Sequence, residues 1–301
     1  MTEELPRCSL RSLGFGESVR GTASTVRSWL LLEQPGAWSR EALLDDRLPG
    51  RLGPRLHALG QQHGVKVLLV RRHGRGATSL RRTCFLARTD PRGSWLERVR
   101  LPAAEAVFDL DLAALVRGER LGLTPVTDPL FLVCTHGKHD PCCAERGRPV
   151  AAALAARFPD ATWESSHIGG DRFAANVVCL PDGIYLGRLA PEEAVAAAEA
   201  HAAGSLDLRH FRGRSCYPFP VQAAEAFLRE ERSLTGLDDV RLLGSEQAGD
   251  TLRARFADVT GRVFLVRVRT RGAEQAWRLS CHDGADTLPP AYELLELVKE
   301  G

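Results

Sequence analysis

Residues 130–134 read Leu-Phe-Leu-Val-Cys, an unbroken apolar run set between Asp128-Pro129 and a polar loop. Five residues are too few for a buried helix, and a strand without polar alternation has to be covered on both faces. Helices on the faces of a sheet supply that cover, which points to an α/β chain. Two more runs, at 29–33 and 65–72, have the same character, and a helical pattern lies between them at 51–63.

A hairpin is expected next, from TCFLA (83–87) and SWLERVRL (94–101) around the turn residues TDPRG, and FDLDLAALVRG closes the unit at Gly118. The strand at 130–134 begins a second series. A helix is expected at 146–158, with Pro149 in its first turn, then a strand at 162–166 and a hairpin of AANVVCL and GIYLGRL turned at 181–183. The helix PEEAVAAAEAHAAG ends at Gly204. Both series run strand, helix, strand, strand, strand, helix. This is the thioredoxin-like layout, and it suggests two tandem units at 1–125 and 126–212, the first degenerate; two unrelated α/β halves would share the same coarse order. Residues 213–301 read as a small β-rich appendage, with strands at 240–243, 251–255, 263–268 and 277–280 and a closing helix PPAYELLELVKE.

With 301 residues and 44% hydrophobic content, the chain can bury two or three compact cores. Forty basic residues stand against thirty-eight acidic ones, a net charge of +2 without long like-charged blocks, so nucleic-acid binding is not expected. No run reaches the roughly eighteen apolar residues of a membrane helix, and MTEELPRCSL lacks the basic and apolar regions of a leader, so a cytoplasmic protein is expected. In that compartment clustered cysteines signal metal or redox chemistry. Of the eight cysteines, Cys8, Cys84, Cys179, Cys216 and Cys281 stand alone and read as small buried hydrophobes, whereas Cys134, Cys142 and Cys143 crowd into one loop.

Cys134 ends the predicted central strand, and Cys143 follows in a loop just before a helix, where α/β folds place functional groups. His136, Lys138, His139 and the helix N-terminus favour thiolates there. His167 and Asp171 flank Ile168, Gly169 and Gly170, and the paired glycines let the backbone turn tightly enough to present both side chains inward. On these residues alone a Cys/His metal or redox site is indicated. A thiol-disulfide oxidoreductase using Cys134, Cys142 and Cys143, and a binding module stabilised by zinc on two cysteines, His167 and Asp171, are both open, although adjacent cysteines are not the C-x-x-C of a dithiol enzyme.

The C-x8-C spacing from Cys134 to Cys143, followed by HIGGDRFAAN from His167 to Asn176, resembles the sucrase/ferredoxin-like family, whose pattern is C-x8-C and H-x-G-G-[HD]-[KR]-F-A-x-N. GRSCYPFPVQAAEAF (213–227) resembles the bacterial branch of that family. The resemblance implies a thioredoxin-like ferredoxin with a [2Fe-2S] cluster, Cys134 and Cys143 on one iron and His167 on the other, working as an electron carrier with a redox partner protein. Eukaryotic members carry a second histidine where this chain has Asp171. Asp171 is therefore expected as the fourth ligand, with Cys142 or Cys179 as alternatives if Asp171 only accepts a hydrogen bond from His167. Glycoside hydrolysis needs two carboxylates flanking a sugar cleft. Glu192, Glu193 and Asp182 have ordinary helix-start and turn readings. RSCYPFP around Cys216 reads as a Pro-rich connection between domains, anchored by an aromatic residue.

Overall fold

The computed structural model describes residues 7–44, 48–74 and 81–300. Residues 1–6, which carry part of the leader reading, lie outside the described residues. The elements are α1 (Cys8–Gly14), β1 (Ser28–Glu33), α2 (Leu52–His63), β2 (Lys66–Arg71), β3 (Arg82–Arg88), β4 (Trp95–Leu101), α3 (Leu112–Arg117) and β5 (Thr124–Pro125). Then follow β6 (Leu130–Cys134), α4 (Pro141–Arg157), β7 (Thr162–Ser165), β8 (Val177–Leu180), β9 (Ile184–Leu186), α5 (Pro191–Ala202) and β10 (Phe211–Arg214). The chain ends with α6 (Phe219–Arg232), β11 (Val240–Ala248), β12 (Thr251–Asp258), β13 (Val263–Gly272) and β14 (Pro290–Lys299).

Ten strands form one sheet in the order β10-β9-β8-β6-β7-β2-β1-β3-β4-β5. Its two halves repeat one pattern. β1 runs parallel to β2 and antiparallel to β3, which pairs with β4, just as β6 runs parallel to β7 and antiparallel to β8, which pairs with β9. The halves meet where β2 and β7 pair antiparallel, Val70 opposite Ser165 and Arg71 opposite Glu164. At this seam Glu164 accepts hydrogen bonds from Arg71 Nε (2.9 Å) and Thr135 Oγ1 (2.8 Å) and lies 2.8 Å from His73 Nδ1.

Alternation along each strand divides the core. Leu30, Leu32, Val67 and Leu69 face α2 and α3, while Phe131, Val133, Val177 and Ile184 face α4 and α5. The other faces of both halves share one core, with Trp29, Leu31, Val70 and Phe85 from the first and Leu132, Cys134, Trp163 and Tyr185 from the second. Trp29 on β1 lies 6.3 Å from Tyr185 on β9, and Phe85 on β3 packs edge-on to Trp163 on β7 at 5.2 Å, so the sheet curls until its halves close on each other. β6 is buried along its whole length, as its apolar run requires.

A second, four-stranded antiparallel sheet, β11-β12-β13-β14, packs against α6. The segment around Cys216 joins β10 to α6 and buries Cys216 and Tyr217. Two expectations fail here. PPAYELLELVKE is the strand β14, because pairing with the edge of β13 overrides the helix propensity of Glu, Leu and Lys. Residues 277–280 form no strand, only an isolated bridge from Trp277 to Thr287, and the Trp277 ring stacks on Phe15 instead. A third concerns α4, which starts at Pro141 rather than at 146 and holds Pro149 within it. Asp140 caps this helix by accepting from Cys142 N at 2.8 Å, with Pro141 in the first turn where its missing N–H costs nothing.

α6 is fixed by a buried charge network. Glu225 Oε1 accepts from Arg214 Nε and Arg229 Nε, each at 2.9 Å, and Arg229 also donates to the carbonyls of Leu234 (3.0 Å) and Gly236 (2.8 Å). Burial opposes the Glu225 charge, but the two guanidinium groups outweigh it and hold its pKa below the ordinary carboxylate value. A depressed carboxylate pKa contributes stability above the unfolded value that is lost as pH falls through the folded one. Glu225→Ala leaves the buried Arg229 and the partly buried Arg214 without their shared carboxylate and is expected to cost about 3–5 kcal/mol in urea unfolding. A loss under about 1 kcal/mol would show that the network is not what fixes the helix.

Candidate metal centre

Four side chains singled out in the sequence converge at the C-terminal end of β6. Cys134 is its last residue, Cys143 sits in the first turn of α4, His167 follows β7, and Asp171 opens a short 3-10 turn, Asp171–Phe173. The ligand atoms of Cys134, Cys143 and His167 all lie within 4.8 Å of one another. Asp171 Oδ1 accepts from the Cys143 thiol at 3.1 Å and lies 3.0 Å from His167 Nδ1. Cys134 and Cys143 are each 1% exposed, whereas the His167 side chain is 23% exposed, so among the described residues the centre is open on its imidazole side.

The electrostatics follow from this crowding. A hydrogen bond from Cys143 holds the Cys134 thiol well below the usual cysteine range against the effect of burial, with His167 assisting. Cys143 is pushed up correspondingly by Cys134, burial and Asp171. Burial disfavours the imidazolium of His167, but Asp171 and Cys134 outweigh it and raise the group to about 9. Asp171 is held low, burial opposing and His167 favouring its charge.

The surrounding residues explain how the loop keeps its shape. Gly170 has φ of +80°, and a Cβ there would lie 2.3 Å from Arg212 Nη2. Arg212 is buried, donates to Gly169 O (3.2 Å) and Asn176 Oδ1 (2.8 Å), and Asn176 Nδ2 donates in turn to Gly170 O (2.8 Å). Asn176 thus ties the end of the HIGGD segment to its glycines. Phe173 lies beneath the guanidinium groups of Arg172, Arg188 and Arg212 at 4.4, 5.3 and 4.9 Å. His167 N donates to His136 Nδ1 at 3.2 Å, and His136 Nε2 lies 2.6 Å from Ser39 O, which fixes the His136 tautomer as a donor at Nε2.

His139, read from the sequence only as a nearby cation, stacks on the His167 ring at 3.8 Å, and its Nε2 lies 4.0 Å from Asp171 Oδ2. Together with Lys66, His136 and His167 it lines an open cleft of about 170 Å³. The two alternative ligands lie elsewhere. Cys179 stands opposite Phe131 in the β6–β8 ladder and so faces α4 and α5, on the side of the sheet away from Cys134. Cys142 turns into a different group, with Cys8 and Cys281. Of the carboxylates considered for glycoside chemistry, Glu193 accepts from Ala190 N at the start of α5, and Asp182 pairs with His201 at 3.1 Å.

The family model described as sucrase/ferredoxin-like matches residues 19–213. The chain belongs to the sucrase/ferredoxin-like family. No curated protein and no solved structure matches it. The family match contains all four converging residues together with Asn176 and Arg212, while Cys8 and Cys281 fall outside it. A two-iron group takes two donors on each iron, and this family member offers two thiols from β6 and α4 facing an imidazole and a carboxylate from one loop. The donor set fits.

Close contact between α4 and β6 sets the distance between the two thiols. A Cβ on Gly147 would lie 2.0 Å from Cys134 O. Gly147→Ala is expected to destabilise the chain by about 1–3 kcal/mol in urea unfolding. Gly14→Ala, with nothing within 4 Å of the added Cβ, is expected to leave the midpoint unchanged or raise it.

Proposed function

We propose that the chain is a [2Fe-2S] electron-transfer protein built on two thioredoxin-like units, with Cys134 and Cys143 on one iron and His167 and Asp171 on the other. The observation that carries the reading is the two-plus-two convergence of thiols and His/Asp donors at one strand end. When bound, the cluster takes up one electron and gives it up again. The residues around it bind, orient and shield. Cys134 and Cys143 hold one end in an apolar core shared with Leu132, Ile168 and Tyr185. Asp171 and the backbone contact with His136 orient His167, and the Arg212–Asn176 clamp keeps the glycine loop closed over it. With a cluster bound, the exposed edge formed by His167 and His139, which line the cleft, would be where a redox partner protein docks and electrons cross.

Thiol-disulfide exchange is less well supported, because attack on a disulfide needs an accessible thiolate and both Cys134 and Cys143 are 1% exposed. Among the described residues no helix is long and apolar enough to cross a membrane, which is compatible with a cytoplasmic carrier.

Protein purified without oxygen is expected to hold about two irons at this centre and to show sulfur-to-iron charge-transfer bands. Cys134→Ser should abolish the bands, and Asp171→Ala should strip or destabilise the cluster while Asp171→His retains it. With one imidazole in place of a thiolate, the midpoint potential should lie above the about −400 mV of all-cysteine plant-type ferredoxins. Colourless protein holding zinc alone, or bands that survive Cys134→Ser, would contradict the proposal.

A further inference from the structure

Cys142, one residue before a proposed cluster ligand, has partners from both ends of the chain. Its Sγ lies 3.6 Å from Cys8 Sγ and 3.5 Å from Cys281 Sγ, and Cys281 Sγ lies 3.5 Å from Cys8 Sγ. Asp140 closes the group, its Oδ1 3.9 Å and its Oδ2 3.7 Å from Cys8 Sγ. Cys8, Cys142 and Asp140 are buried, and Cys281 is partly so.

We propose that Cys8, Cys142, Cys281 and Asp140 form a second, mononuclear site that takes a structural Zn²⁺ ion. Zinc held tetrahedrally at about 2.3 Å from sulfur and about 2.1 Å from oxygen sets sulfurs about 3.8 Å apart and sulfur to oxygen about 3.6 Å. The three sulfur–sulfur edges of 3.5–3.6 Å and the 3.9 Å from Cys8 Sγ to Asp140 Oδ1 lie close to the corresponding edges of that polyhedron, and the whole group falls within 4.8 Å. A disulfide would need one sulfur pair at about 2.05 Å and would leave the third cysteine over.

The environment suits thiolates. Ser9 Oγ donates to Cys142 Sγ at 3.3 Å and Cys8 N to Cys281 Sγ at 3.4 Å. Asp140 is aimed by donors to Oδ2 from Cys281 N (2.7 Å) and Ser280 Oγ (3.0 Å) and to Oδ1 from Cys142 N (2.8 Å), which leaves a lone pair on Oδ1 for the ion. Uptake exchanges three S–H protons, released to solvent, for three Zn–S bonds and one Zn–O bond. The ion would clasp α1, the first turn of α4 and the 277–283 segment; α1 and that segment already meet at Glu17, which accepts from Ser12 Oγ (2.6 Å), from Arg172 Nε of the 171–173 turn (2.7 Å) and from Trp277 Nε1 (3.2 Å).

Metal analysis of the full chain tests this. Wild type is expected to hold about one zinc besides any iron, and Cys281→Ser and Cys8→Ser should each lose the zinc while iron content and visible bands stay at wild-type levels. Cobalt(II) added to the zinc-stripped wild type, where no variant can misfold, should give the visible absorption of tetrahedral thiolate-bound cobalt. Absence of zinc from the wild type, zinc retained in Cys281→Ser, iron lost in its place, or a mass lower by two hydrogens from a disulfide would each overturn the proposal. Because iron at Cys134 and Cys143 is counted separately, failure of this site is distinguishable from failure of the electron-transfer reading.

Discussion

The hydrogen bond from Cys142 N to Asp140 Oδ1 fixes where α4 begins, and both cysteine groups depend on that starting point. Successive helical residues project about 100° apart. Once Asp140 caps the helix and Pro141 enters its first turn, Cys142 and Cys143 must point in different directions. Cys143 turns toward β6 and meets Cys134, His167 and Asp171, while Cys142 turns toward α1 and the 277–283 segment. Adjacent cysteines of one loop thus belong to two separate groups on either side of a helix N-terminus. The same carboxylate serves both roles, capping the helix with one oxygen and gathering Ser280 and Cys281 with the other.

The strands around the centre were legible because their chemistry is local. A run such as Leu130–Cys134 buries both faces whatever surrounds it, and the hairpin of β8 and β9 is marked by Pro181 and Gly183. The repeat of strand, helix, strand, strand, strand, helix could also be read, and the structure gives both halves the same strand order. The curl that brings Trp29 onto Tyr185 could not be read, since it depends on pairing between β2 and β7. The start of α4 did have a sequence signal in Asp140-Pro141, an N-cap followed by proline. Pro149 carried only the proline half of that signal, with Arg148 before it, and the cysteines between made the earlier stretch look like a loop. β14 was misread because Glu, Leu and Lys favour a helix in isolation, whereas the open edge of β13 decides in the folded chain.

At the centre, spacing and residue type identified Cys134, Cys143, His167 and Asp171, and all four meet. Arg212 could not be found this way: it lies far along the chain and acts only through contacts with Gly169 and Asn176. Cys8 and Cys281 are the extreme case, 273 positions apart, each without a neighbouring cysteine in sequence to suggest a ligand. Only the docking of both chain ends against α4 makes them partners.

The central claim is that two unlike pairs of donors face each other, two thiolates on one iron and His167 with Asp171 on its neighbour. Mössbauer spectroscopy of oxidised protein enriched in iron-57 reads this asymmetry directly. The account predicts two quadrupole doublets of equal area from this centre, one with the isomer shift of thiolate-bound ferric iron and one shifted by nitrogen and oxygen ligation. A single doublet from equivalent irons, or iron present only as a lone ion, would contradict it.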